Sequence, residues 1–338
     1  MNAHRFTWCA YSSLRCTLIA ISTALFPCVS LCQMAFGEGE QARTELENRV
    51  EALTIFSGDF GLASGIFKSR ATVQPDSTSA TELSVTKVGG GGDIGDPRPF
   101  GNFPIGWQPR LQGNMGYLES ASLPGPGQSA GDHIDTYAIE FGGGARFWLS
   151  DGFSLAPTVM ALYGHASGNY YSIDSAHPKG QGPLGSLTGV GLNDWNLDTW
   201  GLRPALDLQY VLTVGRDIIT LTSDPTYFRM QSFDSSDPNV RINGNSGSLT
   251  NKIDIDIPLG FEFAGHELRS GGYLSRTDLF GDLKSGLAVE HMNEIHGRLV
   301  MDWLQQLWKV QWLGIGASYF WGTNIRGWSA GIDAAFRF

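Results

Sequence analysis

The sequence predicts an all-β protein: a single antiparallel transmembrane β-barrel of about 12 strands, preceded by a short helix. Apolar residues recur at every second position through segments longer than ten residues, as in strands greased on one side and wet on the other. Beyond the N-terminal region no stretch approaches the roughly 20 consecutive apolar residues of a membrane helix. Composition agrees, because glycine supplies 44 of 338 residues, 42% are hydrophobic and only 17% are charged. That balance suits many strands and tight turns, and neither a disordered acidic chain nor a polar helical bundle.

The chain opens as a targeting segment. Arg5 and Arg15 give a basic start, CTLIAISTALFPCVSLC (16–32) is an uncharged apolar run interrupted by Pro27, and small Ala35 and Gly37 precede a cut before Glu38. Residues 1–37 therefore read as a cleavable signal peptide. All four cysteines (Cys9, Cys16, Cys28, Cys32) precede that cut, so the mature chain would have no disulfide, thiolate chemistry or cysteine metal site. Bulky Leu31 opposes a lipid anchor on Cys32. Processing leaves 21 basic and 33 acidic residues, a net charge of −12, which excludes nucleic acid as a partner.

Next comes ELENRVEAL (45–53), with Leu46, Val50 and Leu53 on one helical stripe. Residues 38–57 are the pre-barrel segment, either a plug inside the lumen or a short periplasmic helix, and 58–338 are the barrel. Alternation is clearest in IDIDIPLGFEF (253–263), in 200–212, in 137–149 and in 295–303. Extending it gives strands over 58–69, 79–89, 107–121, 133–149, 152–170, 195–214, 216–233, 248–264, 267–281, 289–304, 308–323 and 325–338. A soluble β-sandwich also alternates, but its strands usually run about 5 or 6 residues. Tight turns at 150–152, Gly215 and Gly265 alternate with long loops near 171–194 and 234–248, as at the two rims of a barrel. The glycine run in GGGGDIGDPRPFGNFPIG (89–106) reads as a flexible connection, but the segment is long for its rim, so either the first hairpin is misread or the segment is a periplasmic or lumenal excursion. It lacks the lysine, serine and helix of a phosphate loop. Trp107, Tyr117, Trp200, Tyr210, Trp303 and Trp312 fall near strand ends, where interfacial girdles lie.

The last strand, WSAGIDAAFRF (328–338), alternates throughout. An open edge in hydrocarbon would leave amides unpaired at several kcal/mol each, so this strand must close on the first. Its aromatic end, Phe336 and Phe338, resembles the signature by which outer-membrane proteins are recognised by the barrel assembly machinery.

Together GWQPRLQGNMGY (106–117), FGGGARFWLSDGFSLAPTVMALYG (141–164), YLSRTDLFGDL (273–283) and the closing strand resemble the translocator barrel of autotransporters, specifically the solitary barrels that lack a passenger. The resemblance covers most of residues 44–338. It implies a cell outer-membrane location, a segment inside the pore, outer-membrane lipids as surroundings and no cofactor. About 20 residues between the cut and the barrel leave no passenger, so autotransport is not carried over.

Three sets of side chains bear on chemistry. Arg146, Arg203, Asp207, Glu294, His296, Arg298 and Asp302 occupy the polar faces of their strands and form an expected lumen charge network, rigidifying or solute-selecting. His165, Ser167 and Asn169 share one strand face and faintly resemble the His and Ser of outer-membrane phospholipase A and lipid A deacylases, though Gly168 follows the serine and no acidic third partner is identifiable. Glu290, Glu294 and His296 alternate too, but a single strand spreads them too far for a compact metal site, so no metal is expected. A structural or pore-like role leads. A lipid esterase using His165 and Ser167 and an adhesion scaffold displaying loops 171–194 and 234–248 are the alternatives, and the oligomeric state is left open.

Overall fold

The computed structural model describes residues 38–59, 65–74, 80–101, 105–123, 130–172, 194–237, 240–302 and 310–336. The expected signal peptide, Trp303 and Phe338 lie outside them. Helix α1 (Glu38–Asp59) leads into β1 (Gly65–Val73), β2 (Ala80–Asp93), β3 (Arg98–Pro99), β4 (Gly106–Leu123), β5 (Ala130–Trp148), β6 (Phe153–Ser172) and β7 (Asp194–Val214). There follow β8 (Asp217–Ser235), β9 (Asn243–Phe263), β10 (His266–Gly281), the short helix α2 (Asp282–Leu287), β11 (His291–Asp302), β12 (Val310–Gly322) and β13 (Ile325–Phe336).

From β4 to β13 each strand pairs with the next, β1 pairs with both β2 and β13, and β2 skips β3 to pair with β4, so twelve strands close on themselves and, among the described residues, β3 lies outside the cylinder, paired with β4 alone. Closure also fixes the stagger. Following register partners from Phe153 through Tyr210, Leu221, Ile253, Leu274, Ile295, Tyr319, Trp328, Arg70, Ser84, Glu119 and Asp135 returns to β6 at Ser167. That shift of 14 residues over twelve strands corresponds to a tilt of about 40° and a backbone radius of about 11 Å. The rim where β13 ends, called lower here, carries tight turns such as Gly215–Arg216 and Ala264–Gly265. At the other, upper rim β6 ends at Ser172 and β7 starts at Asp194, well apart in the chain, and α2 follows β10, which marks it as the external rim.

Burial is inverted relative to a soluble protein. Phe261 is 67% exposed and Ile315 66%, whereas Arg146 is 4% exposed. Alternate residues of β9 show the cause: Ile253, Ile255, Ile257 and Leu259 face outward while Lys252, Asp254 and Asp256 face the lumen. Such an exterior is stable only against lipid. Replacing Ile255 by arginine is expected to cost about 2–4 kcal/mol, read as a lower urea midpoint in lipid vesicles; an unchanged midpoint would remove Ile255 from the lipid-facing wall.

Four sequence expectations change, the first being the long loop near 234–248, which is short because β8 runs to Ser235 and β9 already starts at Asn243. The first strand starts at Gly65, not near 58, because α1 continues past its Leu46, Val50 and Leu53 stripe through buried Ile55 and Phe56 to Asp59. Residues 89–93 are not a connection: Gly89–Asp93 extend β2 and pair with Arg110–Asn114, and the chain beyond makes a small hairpin in which Arg98 and Pro99 face Trp107 and Gly106. Glycine carries no side-chain period, so that extension left no signal. Trp312 is not part of a girdle but faces inward, with the Arg298 guanidinium 5.5 Å above its ring.

Candidate functional site in the barrel lumen

The lumen has two unlike halves. Its upper half is an apolar core. From α1, Leu46, Val50, Leu53, Ile55 and Phe56 are buried among inward residues that include Leu118 on β4, Ile134 on β5, Leu197 on β7, Phe228 on β8 and Phe320 on β12. The upper-rim helix α2 folds onto α1, burying Leu283 and Leu287, and Asn48 donates to Ser285 Oγ at 3.3 Å. The approach is close at two glycines. A Cβ on Gly116 of β4 would overlap the Ser57 carbonyl, and one on Gly286 of α2 the Asn48 carbonyl.

Polar groups fasten the helix to the wall. Arg49 donates to Ser120 Oγ at 3.3 Å and to Ser122 Oγ at 3.0 Å. Thr136 Oγ1 donates to the Leu53 carbonyl at 3.3 Å. Glu51, 1% exposed, accepts from Ser246 Oγ at 2.7 Å, and that oxygen in turn accepts from the Leu283 amide at 2.9 Å. One carboxyl thus ties α1, β9 and α2 together at the external rim, in a niche that exists because residue 244 is glycine. Burial pushes the Glu51 carboxyl up from its ordinary 4.5 to about 7, with nearby Asp282 adding to the rise and the Ser246 hydrogen bond and Arg229 opposing it.

The lower half is charged. Arg146 lies 3.0 Å from Asp93 and 3.2 Å from Asp207, and it donates to Ser154 Oγ at 2.9 Å and to Gln209. Arg110 reaches the same two carboxylates at 3.3 and 3.5 Å, making a neutral tetrad of two guanidiniums and two carboxylates. Arg203 stands apart, 3.6 Å from Glu140 and 5.6 Å above the Phe228 ring. Across the lumen Arg298 grips Asp254 with bonds of 2.9 and 2.7 Å, and Arg269 lies 2.9 Å from Asp256 and 3.8 Å from Asp302. Tyr273 donates to Glu294 at 2.9 Å and stacks on His296, whose Nε2 lies 2.9 Å from Asp333. The seven lumen residues singled out in the sequence thus fall into separate groups. Arg146 and Asp207 meet at 3.2 Å, whereas Glu294, His296, Arg298 and Asp302 take the partners just given from other strands. Glu290, at the rim, pairs with Lys284 at 2.8 Å instead of joining Glu294 and His296.

His165 and Ser167 face outward near the upper rim. His165 Nδ1 lies 2.8 Å from Asp198 Oδ1 on β7, and Tyr163 donates to the same oxygen at 2.8 Å. The acidic partner missing from the sequence reading is therefore present one strand away. Among the described residues no hydrogen bond joins His165 to Ser167. Of Asn169 and Phe336 only the backbone is described: Asn169 pairs with His133 and Asp194, and Phe336 with Val310.

A closed twelve-stranded cylinder with an apolar exterior, charged lower lumen and inserted helix defines an outer-membrane β-barrel protein. The chain belongs to the solitary outer-membrane autotransporter family, whose β-barrel domain model matches residues 101–332, and its place is the outer membrane. The transport unit of the autotransporter AIDA-I from Escherichia coli is similar in fold, at 10% identity and a TM-score of 0.54 over 90% of this chain and 100% of that one. The translocator domain of NalP from Neisseria meningitidis is 12% identical, with a TM-score of 0.47 over 91% and 100% of the two chains. The beta domain of BrkA from Bordetella is 14% identical, with a TM-score of 0.47 over 80% and 97%. No curated protein matches.

Proposed function

We propose that this protein is a plugged outer-membrane barrel, exported on residues 1–37 as a signal peptide and inserted by the barrel assembly machinery, with a structural or gated-pore role and no passenger. The observation that carries the reading is the apolar fit of α1 in the external half of the lumen. The helix is held by five buried apolar side chains, each contributing about 2 kcal/mol as an upper bound, and on this reading it closes the lumen at rest. The charge pairs of the periplasmic half brace the wall and would select solutes only after α1 leaves. Planar-bilayer recording of the intact protein tests this: a closed baseline is expected, and steady conductance in the intact barrel would overturn it.

The His165 and Asp198 contact favours a second reading, a lipid esterase on the outer wall. An aspartate on Nδ1 fixes the tautomer whose Nε2 would take the proton of Ser167 as its oxygen attacks an ester carbonyl, hand that proton to the alcohol as the ester C–O bond breaks, and then activate a water that hydrolyses the acyl-serine. On this reading Ser167→Ala abolishes phospholipid turnover, assayed with and without calcium, while a barrel that migrates as folded is retained. Equal residual rates in both proteins would end it.

A further inference from the structure

The lipid-facing wall is interrupted at the seam where the first strand meets the last. Along β1 the outward residues are Ile66, Lys68, Arg70 and Thr72, and along β2 Glu82, Ser84, Thr86 and Val88. In ladder register with Arg70 stands Trp328, itself beside Tyr319, both about half exposed. Arg70 and Lys68 therefore lie at, and one pair below, an aromatic girdle, where most strands present apolar side chains.

Lys68 and Arg70 are two apart on one face, about 7 Å between Cα atoms, and Arg326 sits across from Thr72, diagonal to Arg70. None of the three makes an ion pair or side-chain hydrogen bond among the described residues. Two carboxylates are close in the ladder, Glu82 opposite Thr72 and Glu119 opposite Ser84. Glu119 has the His133 imidazole 3.9 Å away. The seam thus keeps a net positive charge facing the bilayer boundary, an arrangement that costs free energy until an anion answers it. Arg70, Arg326, Ser84, Tyr319 and Trp328 line a groove of about 550 Å³ that also touches Glu82 and Glu119. Below the cations the surface turns apolar: Ile66 is in register with Ile332 and Val88.

We propose that this seam binds a phosphorylated glycolipid of the outer leaflet. Its phosphate groups lie on Lys68, Arg70 and Arg326, its sugar rings against Trp328 and Tyr319, and its acyl chains run down over Ile66, Val88 and Ile332. An amphiphile fits because cations, rings and apolar foot follow one another along the membrane normal. A soluble anion would use only the first.

The test compares binding of bis-phosphorylated and fully dephosphorylated lipid A to the detergent-purified full chain by native mass spectrometry and titration. The intact protein is expected to prefer the phosphorylated form by about tenfold or more. The Lys68→Gln, Arg70→Gln, Arg326→Gln triple variant should lose that preference. Arg276→Gln, an outward guanidinium already paired with Asp278 at 2.8 Å, should keep it. If the triple variant does not migrate as a folded barrel, Arg70→Gln and Arg326→Gln singly should each weaken phosphorylated lipid A binding severalfold. Equal binding of the two lipids by the intact protein, or a folded triple variant with its preference intact, would overturn the proposal. So would full displacement of lipid by an equal concentration of inorganic phosphate, which would reassign the cations to a free anion.

Discussion

Deletion of residues 38–59 is expected to convert a closed barrel into a conducting one, raising single-channel conductance at least about tenfold over the intact protein. The argument is geometric. A twelve-stranded cylinder with a shift of 14 has a backbone radius of about 11 Å, wide enough that inward side chains alone do not fill it, and α1 with α2 occupies the external half. Deletion also strips partners from Leu118, Leu197, Phe228 and Phe320, so the variant should unfold at a lower temperature as well. Gly116→Val offers a milder form, since a side chain there would overlap the Ser57 carbonyl and displace the end of the helix while the rest of α1 remains. A deletion variant that stays folded and closed would show that α1 does not seal the lumen.

Helix docking should also depend on pH through Glu51. Its carboxyl titrates at about 7 in the folded protein, against an ordinary 4.5, because burial disfavours the charged form. A raised pKa makes the docked state most stable below the ordinary value, and that contribution disappears as pH rises through about 7. The shift corresponds to roughly 3 kcal/mol, smaller than the roughly 10 kcal/mol upper bound from the five apolar side chains of α1. Alkaline pH therefore loosens the helix without ejecting it. Amide hydrogen exchange over residues 46–57, corrected for the intrinsic rate, should show protection falling on the order of a hundredfold between pH 5 and pH 8. Glu51→Gln, which keeps a hydrogen-bonding oxygen toward Ser246 and has no charge to gain, should flatten the profile. Protection in the native protein that does not vary with pH would remove Glu51 from the role.

The strands were legible because a residue in a barrel has only two choices, lipid or lumen, and the choice reverses at each position. Ile253 to Phe263 needs no partner to announce which face is greasy. The Leu46, Val50 and Leu53 stripe announced a helix on the same grounds. The glycines of β2 were invisible because alternation is a property of side chains. The outward Lys68 and Arg70 gave no reading of their own, since two cations on a short strand look the same whether they meet water, lumen or lipid.

By itself, the sequence determined the fold class, the number of strands crossing the membrane and, in the strands with clear alternation, which face turns inward, because those follow from local periodicity; Trp312 was the exception. Which of those side chains meet was decided only in three dimensions. His296 finds Asp333 across two strands, Arg146 finds Asp93 at the end of a glycine run, His165 finds Asp198, and Glu51 finds Ser246 from a helix nearly 200 positions earlier. Each meeting depends on which elements are brought side by side and in what register, as where the β6–β7 ladder sets His165 opposite Asp198, and no single strand encodes that.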